Sequence, residues 1–241
     1  MAPQEGKSFF TSLNGYYNTD ALSDVTVTCG GQVFKAHKII LSAHSKCFAT
    51  ALNGNWKEGS EGNIRIDDFD PDVVDAMLRF MYSFEYSSDH DTPRMVFDVR
   101  VYQIADKYGI TALKNEVKKQ FKAAVASEWT ANDFSVAANL VYVTTPSRDR
   151  GLRDIVMETI RENIDYLVDH NNFDELLRST PDLAADLISE LYGRTASPET
   201  QYQCPDCGAQ FWVKNDSRDW SCPCCRWRTS DWSEYQIEWI R

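Results

Sequence analysis

The 241-residue sequence lacks a long apolar run, and we expect no secretory leader in its first residues. A membrane-spanning helix needs about 18 to 20 consecutive apolar residues, and no stretch of the sequence supplies them. The first fifteen residues, MAPQEGKSFFTSLNG, have neither the basic start nor the apolar centre of a signal peptide. We therefore expect a protein of the nucleus, the cytoplasm or both, with no membrane partner.

Positive charge is scarce. The 25 lysines and arginines stand against 36 aspartates and glutamates, which gives a formal net charge of −11. An acidic surface repels phosphate groups, so a broad nucleic-acid face and binding to an anionic membrane are both excluded as leading interpretations. Proteins are the expected partners.

Outside one short region the chain has only two cysteines, since five of the seven lie between Cys204 and Cys225. Such clustering is typical of a metal site and argues against a disulfide framework spread over a secreted fold. The sequence also lacks a nucleophile–base pair, a phosphate-binding glycine loop and a metal site with an open position. We therefore do not expect an enzyme.

Three short strands are predicted in the first third of the chain. Asp24–Cys29 alternates apolar and polar residues, a period of two that indicates a strand with one covered face. Gly30 and Gly31 then turn the chain and make Gln32–Lys35 a hairpin partner, because glycine reaches positive φ at no steric cost. Asn63–Ile66 has the composition of a third strand.

Apolar residues at helical spacing dominate the rest of the chain up to Gly193. These helical segments begin at His37, Asp70, Pro93, Thr111 and Asp133. Asp70 is a suitable N-cap, and the proline that follows it suits a first helical turn. A small sheet with many helices predicts an α+β fold.

The order of motifs in this region resembles the BTB/POZ domain, most closely the versions common in fungal proteins. The motifs are SDV, F-x-x-HK-x-x-L, S-x-x-F, W-K-E, I-x-I-x-D, M-Y-S-F-E-Y and, at Ala105–Leu113, ADKYGI-x-x-L. The resemblance implies a BTB/POZ domain at residues 8–125. Phe84 departs from the family, which usually carries glycine there in a Y-T-G turn.

The resemblance also implies roles for particular residues. Asp24 and His37 are expected to form a buried carboxylate–imidazole pair that holds a strand to a helix. Trp56 and Glu58 match the hydrophobic-x-Glu pattern of the cullin contact in BTB adaptors, with Trp56 as apolar anchor and Glu58 fixing orientation; the alternative is that Trp56 packs on its own domain. The first helix, Ser8–Tyr17, is expected either to form a homodimer or to cap its own core.

Beyond the first domain we expect a helical extension at residues 126–193 and a linker at 194–203, where the sequence is small, polar and proline-containing. Residues 204–241 are expected to form a zinc-ribbon-like module. The run Gln210–Val213 and the later Tyr235–Ile240 have the composition of strands.

Two C-x-x-C motifs, separated by fourteen residues, carry the strongest chemical signal. Two-residue spacing lets both thiolates of a motif face one ion, so Cys204, Cys207, Cys222 and Cys225 predict a closed, structural Zn²⁺ site. Cys224 is then a spare thiol, unless a shifted register uses it. A redox pair and an iron–sulfur cluster are the alternatives, but no thioredoxin-like βαβ pattern surrounds the cysteines.

These features predict an interaction adaptor, with a cullin-type ubiquitin ligase scaffold as one partner of the BTB/POZ domain and the zinc ribbon as a second binding module. The alternative is a transcription-associated regulator whose ribbon contacts nucleic acid through the Arg-Trp-Arg run at 226–228. Residues 200–241 contain five basic and six acidic side chains, so this segment has no excess of positive charge to attract phosphate groups. Protein contact is therefore the favoured interpretation.

Overall fold

The computed structural model describes residues 11–53, 61–87, 92–129, 132–169, 171–193, 200–213, 221–229 and 232–235. The chain divides into two compact units, Met1–Leu183 and Ala184–Arg241. Within the described residues no helix is both long and apolar enough to cross a bilayer.

The first unit contains a three-stranded sheet in the order β2-β1-β3. Strands β1 (Val25–Cys29) and β2 (Gln32–Ala36) form an antiparallel hairpin, and β1 pairs in parallel with β3 (Asn63–Arg65). The hairpin turn places Gly30 at φ 53° and Gly31 at φ 83°. A Cβ on Gly30 would also lie 2.9 Å from Pro71 Cγ, so this turn requires glycine for conformation and for space.

Ten helices lie wholly within the described residues: α1 Lys38–His44, α2 Lys46–Asn53, α3 Pro71–Ser83, α4 Arg94–Lys107, α5 Thr111–Glu128, α6 Asn132–Thr144, α7 Arg150–Glu162, α8 Ile164–Leu167, α9 Asn171–Ser179 and α10 Pro181–Gly193. Apolar residues recur at helical spacing from Leu152 to Leu167, which by itself predicts one helix, but the structure breaks this stretch at Asn163. This residue leaves the helical region at φ −123°, and its N–H bonds to the carbonyl groups of Thr159 and Ile160.

The predicted apolar stripe of α3 lies inside the core. Its members Val73, Val74, Met77, Leu78 and Met81 are all buried. Helix α4 packs against α3 and α5 and also against α6. It therefore contacts both the helices near the sheet and the helices that follow α5. Burial of such stripes supplies most of the driving force for folding a domain of this kind.

A polar cluster joins α4 and α5 to the beginning of α7. Lys114 Nζ lies 2.6 Å from the carboxylate of Asp149, and the Tyr102 hydroxyl donates to the same carboxylate at 2.8 Å. Asp149 is also the N-cap of α7, since it accepts the N–H of Gly151 at 3.1 Å. A Cβ on Gly151 would lie 2.0 Å from the Tyr102 hydroxyl, so glycine is needed for this close approach.

Arg153 is only 2% exposed and closes the carboxyl end of α6. Its guanidinium donates to the carbonyl groups of Tyr142 and Thr145 and to the Thr145 hydroxyl, at 2.5–3.0 Å. Carbonyl groups at a helix end have no partner within the helix and carry partial negative charge. A buried cation is therefore stabilised here by a helix terminus.

In the second unit β4 (Thr200–Gln203) pairs in antiparallel fashion with β5 (Gln210–Val213), followed by a 3₁₀ turn at Ser233–Tyr235. Residues 200–203 were predicted to belong to a linker, and this part of the prediction is wrong. Tyr202 is buried while its neighbours in β4 are not, so the polar composition of the segment concealed a period-two strand. Residues 194–199 and 236–241 lie outside the described residues.

Candidate metal centre and partner surfaces

The first C-x-x-C motif folds as a tight knuckle at the end of β4. The N–H of Gly208 donates to the carbonyl of Cys204 at 2.9 Å, and the N–H of Cys204 donates to the carbonyl of Ala209 at 2.9 Å. Gly208 takes φ 71°, a conformation that favours glycine. These bonds bend the chain so that the sulfurs of Cys204 and Cys207 face the same side.

The second motif repeats this backbone pattern. The N–H of Arg226 donates to the carbonyl of Cys222 at 2.9 Å, and the N–H of Cys222 donates to the carbonyl of Trp227 at 2.8 Å. Arg226 takes φ 64° at the position that corresponds to glycine in the first knuckle. The two motifs are therefore equivalent knuckles, one of which carries arginine where left-handed backbone is required.

The four predicted cysteines are brought together. Their Sγ atoms all lie within 4.8 Å of one another, with 3.6 Å between Cys204 and Cys225 and 3.7 Å between Cys207 and Cys222. Four sulfurs at about 2.3 Å from a tetrahedral Zn²⁺ stand roughly 3.8 Å apart, so the spacing and the thiolate donors both fit this ion. The separations are far longer than the S–S bond of a disulfide, about 2 Å.

The electrostatics of the cluster favour a thiolate at its buried side. Burial opposes ionisation of Cys222, but the backbone N–H groups of Cys225 and Cys224 hydrogen-bond its sulfur and lower the pKa to about 7. Such N–H···S bonds are the usual surroundings of a metal-bound thiolate. The Cys224 side chain is exposed and outside the cluster, so the geometry uses the register with Cys225.

Aromatic rings cover the four-cysteine cluster. Trp232 is buried, with its ring 5.4 Å from Trp227 and 5.5 Å from Phe211 in edge-to-face contacts. Tyr202 and Tyr235 complete the group. Trp220, Trp239 and the side chain of Trp212 lie outside the described residues. The described tryptophans therefore serve as core for a unit too small to bury a large apolar interior.

The predicted pairing of Asp24 with His37 is wrong. His37 Nδ1 lies 2.7 Å from the Tyr82 hydroxyl and Nε2 lies 2.9 Å from the carbonyl oxygen of Ala21, so both ring nitrogens have other partners. Asp24 instead accepts the backbone N–H of Lys38 at 2.7 Å. Asp24 thus joins the start of β1 to the start of α1, whereas His37 joins the start of α1 to α3 and to the segment before β1.

The remaining predicted partner residues lie wholly or partly outside the described residues. Trp56 and Glu58 fall within 54–60, and the first predicted helix is described only from residue 11, with a helical turn at 11–14. At its end Tyr17 is buried, and its hydroxyl donates to Asp75 at 2.6 Å. This end of the segment packs on its own domain.

Phe84, noted in the sequence as a departure from glycine, occupies a left-handed conformation at the end of α3 with φ 57° and ψ 14°. Its ring lies 4.9 Å from His44 and 5.7 Å from Phe80, and 45% of the residue is exposed. Left-handed backbone costs a non-glycine residue roughly 1–2 kcal/mol, which these ring contacts offset in part. Burial lowers the pKa of His44 in the same place.

Sequence reasoning missed Asp98, a carboxyl buried in α4. The Tyr86 hydroxyl donates to its Oδ1 at 2.5 Å, while Oδ2 is buried with no hydrogen-bond partner among the described residues. Burial raises the pKa of Asp98 to about 7, against the opposing effects of the Tyr86 bond and Arg94. The available signal was an aspartate within the five residues 95–99 (MVFDV), of which the other four are apolar.

Comparison with known proteins identifies the first part of the chain. A family model of the BTB/POZ domain matches residues 13–124. The BTB/POZ domain-containing protein At1g01640 of Arabidopsis thaliana is 25% identical over 220 residues, which cover 90% of this chain and 98% of that protein. Kelch-like protein 8 of Mus musculus is 33% identical over 82 residues, which cover 34% of this chain and 13% of that protein.

Another relative, BTB/POZ domain-containing protein At2g30600 of Arabidopsis thaliana, is 24% identical over 174 residues, 68% of this chain but 21% of that protein. The chain thus spans a small part of some relatives and nearly all of another. The solved BTB domain of human gigaxonin aligns with 48% of this chain and 91% of its own at 24% identity, with a TM-score of 0.40.

The predicted α+β BTB fold is thus confirmed, with a cysteine cluster near the C-terminus that is consistent with a small zinc-binding module. The family match coincides with the β2-β1-β3 sheet and helices α1 to α5. Residues 13–124 of this chain are a BTB/POZ domain.

Proposed function

We propose that this protein is a non-enzymatic adaptor that binds one protein through its BTB/POZ domain and others through the segments that follow. The observation that carries the proposal is the match of residues 13–124 to the BTB/POZ family. BTB relatives, including Kelch-like and TD and POZ domain-containing proteins, support a role in protein interaction.

A cullin scaffold of a ubiquitin ligase is the proposed partner of the BTB/POZ domain. The support is the W-K-E triplet between α2 and β3, where Trp56 supplies a large apolar anchor and Glu58 a charge. Interfaces concentrate their binding energy in a few such anchors, with tryptophan prominent among them.

The test is binding of the purified chain to a cullin N-terminal region, measured by calorimetry. We expect binding by the parent protein and losses of about tenfold or more in each variant, because Trp56→Ala removes the apolar anchor and Glu58→Lys reverses the charge that fixes orientation. Glu162→Lys, at the end of α7, is the matched charge-reversal control and should bind normally. Absence of binding by the parent protein would reject the cullin and leave the domain as an assembly module.

In the second unit, the proposed cofactor is one structural Zn²⁺ held by Cys204, Cys207, Cys222 and Cys225. When bound, the ion cross-links the two knuckles and neutralises part of the thiolate charge. Four protein ligands leave no open coordination position, so the site has no place for a hydrolytic water. The aromatic cover then gives the unit a stable surface for a protein partner.

Nucleic-acid binding by this unit is the rival function, favoured by exposed Arg226 and Arg228 on either side of Trp227. The Trp227 ring, however, packs edge-to-face on Trp232 and Tyr235, which leaves less of it for stacking on a base. Protein binding is therefore the better-supported role. Salt-dependent binding of the chain to single-stranded DNA, weakened by Arg226→Gln with Arg228→Gln, would reverse this order.

A further inference from the structure

A groove lies on the helices that follow the BTB/POZ domain and has no part in the contacts discussed so far. It is bounded by α4, α6 and α9 and has a volume of about 600 Å³, within the usual range for ligand sites. Helix α6 contributes Val136 and Val143, which are 56% and 72% exposed although they are aliphatic. Leu140 of α6 and Leu176 of α9 also line the groove. The groove therefore presents apolar surface in a concave shape.

A cation lies in the wall of this groove. Arg100 of α4 lines it and is partly buried, one helical turn beyond Val96, which lines it too. Among the described residues Arg100 makes no ion pair or hydrogen bond, whereas most other arginines of the first unit do. A partly desolvated guanidinium without a carboxylate is a site for an incoming anion, since bidentate pairing with a carboxylate satisfies its donors.

Amide side chains connect the two walls along the groove. Asn172 Nδ2 donates to Asn132 Oδ1 at 2.8 Å, and Asn139 Nδ2 donates to Ser179 Oγ at 3.4 Å. Each bond joins α6 to α9 and leaves further amide donors or acceptors on the same side chains. Such groups suit the peptide backbone, which offers both a donor and an acceptor at every residue.

We propose that this groove is a docking site for a peptide segment of a partner protein that carries an acidic residue beside an aliphatic one. The aliphatic side chain packs on Val136, Val143 and Leu176, and the carboxylate pairs with Arg100. The lining has one cation, Arg100 on α4, and one carboxylate, Glu175 on α9, and no ion pair joins these two described residues. Charge complementarity therefore places the acidic residue of the peptide at the α4 wall beside Arg100, while the chain as a whole carries −11 and repels acidic ligands elsewhere. This inference rests on the proposed adaptor function and identifies a binding site for the second partner protein.

The test uses the purified full-length chain and an array of amidated octapeptides. Each peptide contains one fixed leucine or valine, with neighbours varied among Asp, Glu, Gln and Lys. We expect retention of the chain on peptides with Asp or Glu next to the aliphatic residue. The strongest of these peptides, labelled with fluorescein, is then measured by fluorescence anisotropy.

Charge-removing substitutions test whether the affinity for the acidic peptide changes in the expected direction. Arg100→Gln should weaken binding of the acidic peptide about tenfold, because a charge-assisted hydrogen bond is lost. Glu175→Gln, which removes the negative charge from the lining, should strengthen binding by about twofold. Arg178→Gln is the matched control, since it removes a cation from α9 outside the lining and should change little.

An array without acidic preference, or acidic binding that survives Arg100→Gln in a folded variant, overturns the proposal. Circular dichroism of each variant establishes that the fold is retained. The cullin measurement is separate from this one, because it uses a different ligand and different variants, Trp56→Ala and Glu58→Lys. Cullin binding without acidic-peptide binding rejects the groove alone, and the opposite result rejects the cullin alone.

Discussion

At the scale of single residues, Asp98 makes stability depend on pH. Its folded pKa of about 7 lies above the ordinary value of 3.8, so between these values the folded chain holds a proton that the unfolded chain has lost. The stability associated with the protonated carboxyl is complete below the ordinary pKa and is lost as pH rises to about 7. The buried carboxylate is therefore a cost at neutral and alkaline pH.

The corresponding prediction concerns Asp98→Asn. We expect this variant to raise the free energy of unfolding by about 2–4 kcal/mol at pH 8 and by clearly less at pH 5.5, because the amide needs no proton to stay neutral. Urea unfolding at both pH values measures the difference. Asp174→Asn, at an exposed carboxylate paired with Arg178, is the control and should show little pH-dependent change. Equal effects of Asp98→Asn at both pH values would contradict the assignment.

At two other positions a residue other than glycine lies where the backbone is left-handed. Phe84 and Arg226 both take left-handed conformations that glycine favours. Each lies at the end of a tight element, one closing α3 and the other closing the second cysteine knuckle. The strain at each is modest and is borne by the hydrogen bonds around it.

At the scale of elements, the stability of the two cysteine knuckles and the β4–β5 hairpin depends on a link between the four cysteine sulfurs. The hairpin has four paired residues on each strand, and a two-stranded hairpin alone is marginally stable in water. The buried aromatic cluster adds apolar area, but units of this size usually need a metal or disulfides as well. We therefore expect the second unit to depend on its metal.

The prediction is that the purified chain contains about one Zn²⁺, which Cys204→Ser or Cys222→Ser removes and Cys224→Ser retains. Mass spectrometry of the metal content measures this. Tryptophan fluorescence should shift to longer wavelength on chelation, because Trp227 and Trp232 become more exposed to water. Iron in place of zinc, or loss of metal in Cys224→Ser, would correct the ion or the register.

Other elements depend on contacts between distant parts of the chain. The bonds of Lys114 and Tyr102 to Asp149 tie the BTB/POZ domain to the first residues of α7. Arg153 likewise closes α6 from within α7. These bonds hold the start of α7 against α4 and α5, and the end of α6 against α7.

At the scale of the whole molecule, self-association through the BTB/POZ domain is the remaining prediction. We expect a homodimer at about 50 µM, formed in part by the apolar residues Phe9 and Phe10 ahead of the described residues. The variant with Phe9→Glu and Phe10→Glu should sediment as a monomer in analytical ultracentrifugation, since charges then replace the apolar contact. Tyr17→Phe should remain dimeric, because Tyr17 bonds to Asp75 of its own domain. A monomeric parent protein would rule out the dimer.

A dimer would give the adaptor two copies of each proposed partner site. Bivalent engagement raises overall affinity without any new contact, provided that the geometry allows both sites to bind at once. The net charge of −11 repels acidic ligands from the surface in general. Recognition of an acidic segment is therefore expected at a local cationic site such as Arg100.

Local patterns were sufficient to predict part of this protein. Gly30 and Gly31, the apolar stripe of α3 and the paired C-x-x-C motifs each act over a few residues, so their spacing alone determined the hairpin, the helix and the candidate ligands. The order of such motifs was also enough to predict the BTB/POZ domain, which the family match confirms.

Only the tertiary structure decided the rest. Tyr82 is 45 residues from His37, yet it takes the ring nitrogen that Asp24 was predicted to bond. The burial of Asp98 and the groove around Arg100 arise where helices far apart in sequence pack together. Spacing along a chain specifies which face of an element a side chain occupies, but which partner meets that face depends on long-range packing, and no local pattern contains that information.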